Sequence, residues 1–249
     1  MIIRASAIAV IVAAFASLAT PAAAVDGEIL IDQAKVNAGG ITPGDAPGFP
    51  ATLTRPGRYK LTGNLTVPLD KNGIEVTQHD VTIDLNGFTI SSSNPPPGFP
   101  PAPNGVVSIT AANGLRVMNG TIMGFDAYAI YTEGRRAVAE NLRLIGNGVG
   151  IIVGAESRIR TSTIANGFGG IHCQNNCLIE QNVASNNVGS GMDTGGGVIR
   201  NLIASNSSWG LFASARTGYG NNMVFRNRVG GNADFFVQLH PNICAPACP

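Results

Sequence analysis

The chain has 249 residues, with sixteen lysines and arginines against fifteen aspartates and glutamates, only 12% charged side chains and 32 glycines. In so even a charge balance there is no basic stripe for nucleic acid and no polybasic patch for a membrane surface, so neither is an expected partner. The Gly and Asn content argues against helical repeats, which leaves an extended all-β domain.

Residues 1–24 read as a secretion signal. Arg4 gives the positive start, Ala5 to Leu18 an apolar run, and Pro21 with Ala22-Ala23-Ala24 a small-residue cleavage site. That run is too short and alanine-rich to cross a bilayer. The mature chain is expected outside the cytoplasm, secreted or periplasmic, with no further membrane span.

Residues 25–57 are expected to form an N-terminal cap, because a stack of coils exposes unpaired backbone at its ends. The run from Ile29 to Val36 is apolar but out of step with the repeats further along the chain, and Gly39 to Pro50 is a Gly/Pro loop. Its Asp32 and Asp45 suit Asx-turns better than metal ligation. A first irregular coil takes Ala51–Thr54, Arg58–Leu61 and Leu65–Val67. Coils proper are expected from 58 to 231, including Gly73–Val76, Val81–Ile90 and Leu115–Ile122. Prolines cannot join a strand ladder, so residues 94–103 should protrude as a loop.

From Gly150 to Asn227 one phrase recurs about every 20 residues. Gly150-Ile151-Ile152-Val153, Gly170-Ile171-His172-Cys173, Gly191-Met192-Asp193-Thr194 and Gly210-Leu211-Phe212-Ala213 open successive units. Asn147, Asn166, Asn186, Asn206 and Asn227 close them. Alternation within each phrase is the period of a strand, with Ile171 and Cys173 facing one way and His172 the other. One such coil cannot bury its inner face alone. Stacked at about 4.8 Å, the coils share a hydrogen-bond ladder and an apolar interior file. The glycines are expected at corners that need positive φ, and the asparagines in similar corners or in stacks. These features specify an all-β, single-stranded parallel β-helix, a solenoid with capped ends.

The phrases VTIDLNGFTI at 81–90, GDAPGFP at 44–50 and GRYKLTGNLTV at 57–67, with the Gly-Ile…Asn coils, resemble the bacterial exported right-handed parallel β-helix repeat proteins. That group shares the pectate-lyase-like fold with pectin-degrading hydrolases, alginate epimerases and NosD-type periplasmic proteins. The resemblance covers essentially the whole mature chain and implies the right-handed sense, which also fits the usual handedness of parallel crossovers. The phrases of its enzymes do not occur: Asn-Thr-Asp, Asp-Asp, Gly-His-Gly and Asp-Pro-His-Asp are all missing here.

The cysteines form two Cys-x-x-x-Cys pairs, Cys173/Cys177 and Cys244/Cys248, which in an exported chain point to disulfides. Local pairing is favoured over the other two connectivities. Metal ligation is the weaker rival, since His172 faces away from Cys173. Residues 232–249 should add a last strand within Asp234–Leu239 and a disulfide-pinned tail.

Function is sought among outward side chains, which stack from coil to coil. One column is Glu75, Tyr131, Ile152, His172, Asp193, Phe212. His172 and Asp193 are neighbours in it and are the candidate catalytic pair, with Tyr131 and Phe212 as stacking surfaces for a sugar ring. A second column of Glu140, Arg160, Gln181 and Arg200 offers Arg160 and Arg200 to an acidic polysaccharide. The other carboxylates, such as Asp84, Asp126, Glu133 and Glu156, lie on different coils and corners, so neither a calcium cluster nor a facing pair is expected. No cofactor or metal is implied. The expected function is binding of a polysaccharide or other envelope or extracellular component through a side face, without a recognisable catalytic centre. The alternatives are a polysaccharide lyase, epimerase or hydrolase using His172 and Asp193, or a structural assembly protein. Sequence does not fix the oligomeric state.

Overall fold

The computed structural model describes residues 27–92, 102–213, 216–231 and 236–245. The expected signal at 1–24, most of the proline-rich loop and Cys248 lie outside the described residues. The chain winds into a parallel β-solenoid of about eight turns. Three faces of parallel strands run along it, and each coil visits the first, second and third face in that order.

The first face begins at Ala51–Leu53 and passes through Ile74–Val76, Val106–Ser108, Tyr128–Thr132 and Val149–Val153. It continues through the leading parts of Gly169–Glu180 and Met192–Ile199, then Trp209–Ala213 and Arg228–Gly231. The second starts at Ile29–Ile31, which pairs with Gly57–Leu61, and ends at Phe236–Gln238 on Thr217–Gly220. The third runs from Leu65–Val67 to Ile243–Ala245. Winding therefore extends past 58–231 at both ends. Ile29–Ile31, expected in the cap, is already a strand, and Ala51–Leu53, within the 25–57 cap bounds but also expected to start the first irregular coil, is a strand of that coil, because their side chains find partners one coil on.

The interior is the apolar file expected from the repeats. Ile130, Ile151, Ile171, Met192 and Leu211 are in direct register and almost wholly buried. Equivalent letters do sit over one another.

The glycines heading the units have a different reason from the one expected. Gly150, Gly170, Gly191 and Gly210 do not have positive φ. They are needed for space: a Cβ on Gly170 would strike the carbonyl of Gly191 in the next coil, and one on Gly150 the side chain of Ile164. Left-handed corners fall to other residues, among them Asn141, Asn166, Gln181, Asn186 and Arg200.

The asparagines divide into two kinds. Asn166 and Asn186 turn corners with φ of 58° and 56°, whereas Asn147, Asn187, Asn206 and Asn227 are buried. In the Asn187–Asn206–Asn227 series, each later amide oxygen accepts from the backbone and side chain of the asparagine one coil earlier, at 2.7–3.1 Å. Asn182, Asn201, Asn222 and Asn242 form a second such ladder at the corner between the second and third faces. Buried corners need donors and acceptors at coil spacing, and a primary amide supplies both.

Before the first complete coil, the helix Gln33–Ala38 occupies the third-face position. Asp32 caps it by accepting from Lys35 N at 2.8 Å, and Gln33 Oε1 accepts from the edge amide of Thr66. Asp45 is buried and accepts from Ile41 N and Thr52 N. Both carboxylates serve the backbone. The disulfide Cys173–Cys177 spans a corner between the first and second faces. The proposed Cys244–Cys248 pairing reaches beyond the described residues.

Candidate binding face

Most strands of the first face present an outward side chain between two inward ones, although the outward Val107 is itself buried. Register places Glu75, Val107, Tyr131, Ile152, His172, Asp193 and Phe212 in one file. This is the expected column with Val107 added. Three residues earlier on the same strands lies a parallel file of Tyr128, Val149 and Gly169, and Trp209 stands at the same offset from Phe212. Tyr128 stacks on Tyr131 with centroids 4.9 Å apart, and Trp209 meets Phe212 at 6.2 Å in a tilted arrangement. From Tyr131 to Phe212 is four coil steps, about 19 Å at strand spacing.

His172 and Asp193 lie between these aromatic pairs. His172 Nδ1 is 3.1 Å from Asp193 Oδ2, and both side chains are partly exposed. The hydrogen bond to Asp193 raises the pKa of His172 and burial opposes it; the hydrogen bond wins. Asp193 Oδ1 is shielded from water without a hydrogen-bond partner. Gly169 carries no side chain, and the Val149 side chain packs over the place a Cβ would take. Tyr131 OH donates to Glu133 at 2.7 Å, and this bond, with burial, pushes the phenol up to about 12.

Beside Tyr128, where the third face turns into the first, is a cleft of about 540 Å³. Phe125 and Val149 line it, and Phe168 and Val188 rise at its rim with 67% and 62% exposure. It extends the aromatic face around the corner.

Arg160 and Arg200 do not join this face. Arg160 is on the second face, where it and Arg116 clamp Glu140 from the two neighbouring coils. Burial pushes Glu140 up, but the two arginines together hold it below the usual carboxylate range. The expected column of Glu140, Arg160, Gln181 and Arg200 is corrected above Arg160: it continues through Glu180 and Ile199. Gln181 and Arg200 fall one residue later, at corners with φ of 57°. The turn consumes a residue without filling a place in the strand.

Tyr128, Trp209 and the cleft residues do not stand out in the sequence as single letters. A signal existed: Tyr128-x-x-Tyr131 and Trp209-x-x-Phe212 share one spacing on equivalent strands. Among the described residues no three of His, Cys, Asp and Glu cluster in a way that could hold a metal ion. The chain matches no family model, no curated protein and no solved structure.

Proposed function

We propose that the chain is an exported glycan-binding module that lays a polysaccharide along its first face. What carries this reading is the pair of aromatic platforms, Tyr128/Tyr131 and Trp209/Phe212, on one flat face with polar groups between them. Sugar rings stack their C–H faces on aromatic rings, and His172 and Asp193 offer a donor and an acceptor to hydroxyl or carboxylate groups. Kinship with the pectate-lyase-like and NosD-type proteins, and the right-handed sense that goes with it, belong to this reading and rest on the phrases at 44–50, 57–67 and 81–90. Export rests on the leader-like start and agrees with a disulfide, which suits an oxidising compartment.

The test is retention of the mature protein on an array of neutral and acidic polysaccharides. Tyr131→Ala and Phe212→Ala should each weaken retention about tenfold, as loss of a central aromatic contact does. The double variant should bind nothing while its thermal transition persists. Full binding by the double variant removes the aromatic face from consideration.

The hydrogen-bonded His172–Asp193 pair favours a second reading: a lyase, epimerase or hydrolase acting on the same bound chain, with the imidazole as acid or base. Product formation abolished by His172→Ala, with binding kept, is its signature.

A further inference from the structure

The three faces differ in chemistry. The first is aromatic, and the second carries paired charges such as Arg116–Glu140–Arg160 and Arg158–Glu180. No strand of the third face carries an aspartate or glutamate. Toward the C-terminal end its outer surface is apolar, with Val183, Leu202, Met223 and Ile243 in one register file. Met223 is 43% exposed and Ile243 60%, and partly exposed Phe225 lies beside them. Arg200 shortly precedes the strand Leu202–Ala204, and Arg226 immediately follows Met223–Phe225. Both are exposed corner residues, so they bracket the stripe from its two sides. Arg143 projects from the same face two coils before Val183. None of these three arginines forms an ion pair among the described residues.

We propose that the third face of the solenoid docks on an anionic lipid bilayer. Arginine side chains reach headgroup phosphates and hold them with two parallel hydrogen bonds, while Met223, Phe225 and Ile243 enter the boundary with the acyl chains. Charge selects this occupant over a second copy of the chain. A two-fold contact through this face would set arginine near arginine with no carboxylate on the face to receive it. The arginines are scattered along the sequence, so no polybasic run announces them. Winding gathers them. The proposal is independent of the glycan face.

The test is sedimentation of the mature protein with vesicles of phosphatidylcholine alone or containing about three parts in ten of phosphatidylglycerol. Binding is expected only to the anionic vesicles, and it should weaken as salt is raised. Arg200→Gln with Arg226→Gln should lower the partition coefficient about thirtyfold, at about fivefold per arginine. Met223→Ser with Ile243→Ser should lower it without changing the salt dependence. Circular dichroism and the thermal transition check that both variants are folded; Arg200→Lys with Arg226→Lys, which keeps the charge, should recover much of the binding. Failure of the native chain to bind anionic vesicles overturns the proposal. So does binding that ignores lipid charge, or binding that survives both double variants. A concentration-dependent dimer abolished by Met223→Asp, without vesicle binding, assigns the stripe to self-association instead. Retention of acidic proteins without vesicle binding assigns it to a protein partner.

Discussion

The asparagine ladder gives the sharpest test of what holds the coils in register, and Asn201 is its most informative member. Its amide oxygen accepts from Asn182 N at 2.9 Å and Asn182 Nδ2 at 3.1 Å. Its amide nitrogen donates to the carbonyls of Ile179 and Ile199 and to Asn222 Oδ1, at 2.9–3.1 Å. Asn201→Ala strips the acceptor from a buried backbone N–H and the donor from Ile179 O. At about 1–3 kcal/mol for each of the two groups left unpaired, the loss should total about 2–6 kcal/mol. For a domain of this size that lowers the melting temperature by about 4–24 °C. Asn201→Asp is nearly isosteric but turns a carboxylate oxygen toward three acceptors. Such a group is driven to hold its proton, so its pKa in the folded chain exceeds the unfolded value. The folded state then binds more protons than the unfolded state, and stability falls as pH rises through the folded pKa. Asn201→Asp should therefore be less stable than Asn201→Ala at pH near 7 and recover toward it on acidification. Thermal melts followed by circular dichroism across acidic and neutral pH measure both effects. A change below about 0.5 kcal/mol for Asn201→Ala, the range of an ordinary surface substitution, would refute the reasoning. An Asn201→Asp profile parallel to that of the native chain would do so as well.

The same structure implies further outcomes. Because Asp193 raises the pKa of His172, the pair adds stability below the unfolded histidine pKa and loses it as pH rises through the folded one; Asp193→Asn should lower the histidine pKa measured by NMR and flatten that pH dependence. Glu140→Gln should cost about 1–2 kcal/mol at neutral pH, since the flanking arginines are partly hydrated. The depressed pKa of Glu140 means that its contribution is lost as pH falls, so Glu140→Gln should approach the native chain in acid; a constant difference in guanidinium titrations across that window contradicts the clamp. The Cys173–Cys177 bridge has a sequence separation of only 4, so replacing both with serine should lower stability by about 2 kcal/mol, seen in the denaturation midpoint.

The sequence carried the winding because parity is physical: inward Ile171 forces outward His172, and a matching phrase one coil later places Asp193 beside it. That is why the His172–Asp193 contact was legible. Corners were not, because their geometry follows φ rather than a hydrophobic pattern. Arg200 and Gln181 turn corners, so counting in steps of about 20 shifts them into a column they do not occupy. The same obscurity mixes corner-turning Asn166 and Asn186 with ladder-forming Asn206 and Asn227, which look identical as letters. The heading glycines were legible as obligatory but not for their reason, since the clash that excludes a side chain comes from residues well removed in sequence, in the next coil for Gly170 and later in its own coil for Gly150. The cleft by Phe168 and the arginine-bracketed stripe involve residues on several coils and had no contiguous signature.

Asparagines bridge coils of very different length. Asn182 and Asn201 are 19 residues apart, whereas the coil bridged by Asn72 and Asn104 takes 32. In both an amide oxygen accepts from a backbone N–H one coil away, from the earlier coil at Asn201 and from the later coil at Asn72, so coils of different length are joined by the same kind of bond. A corner can thus be lengthened to carry a new recognition element, or a whole storey duplicated, without leaving a mismatched seam. Such a scaffold gives evolution, or an engineer, modular growth along one axis with its side surfaces free to diverge.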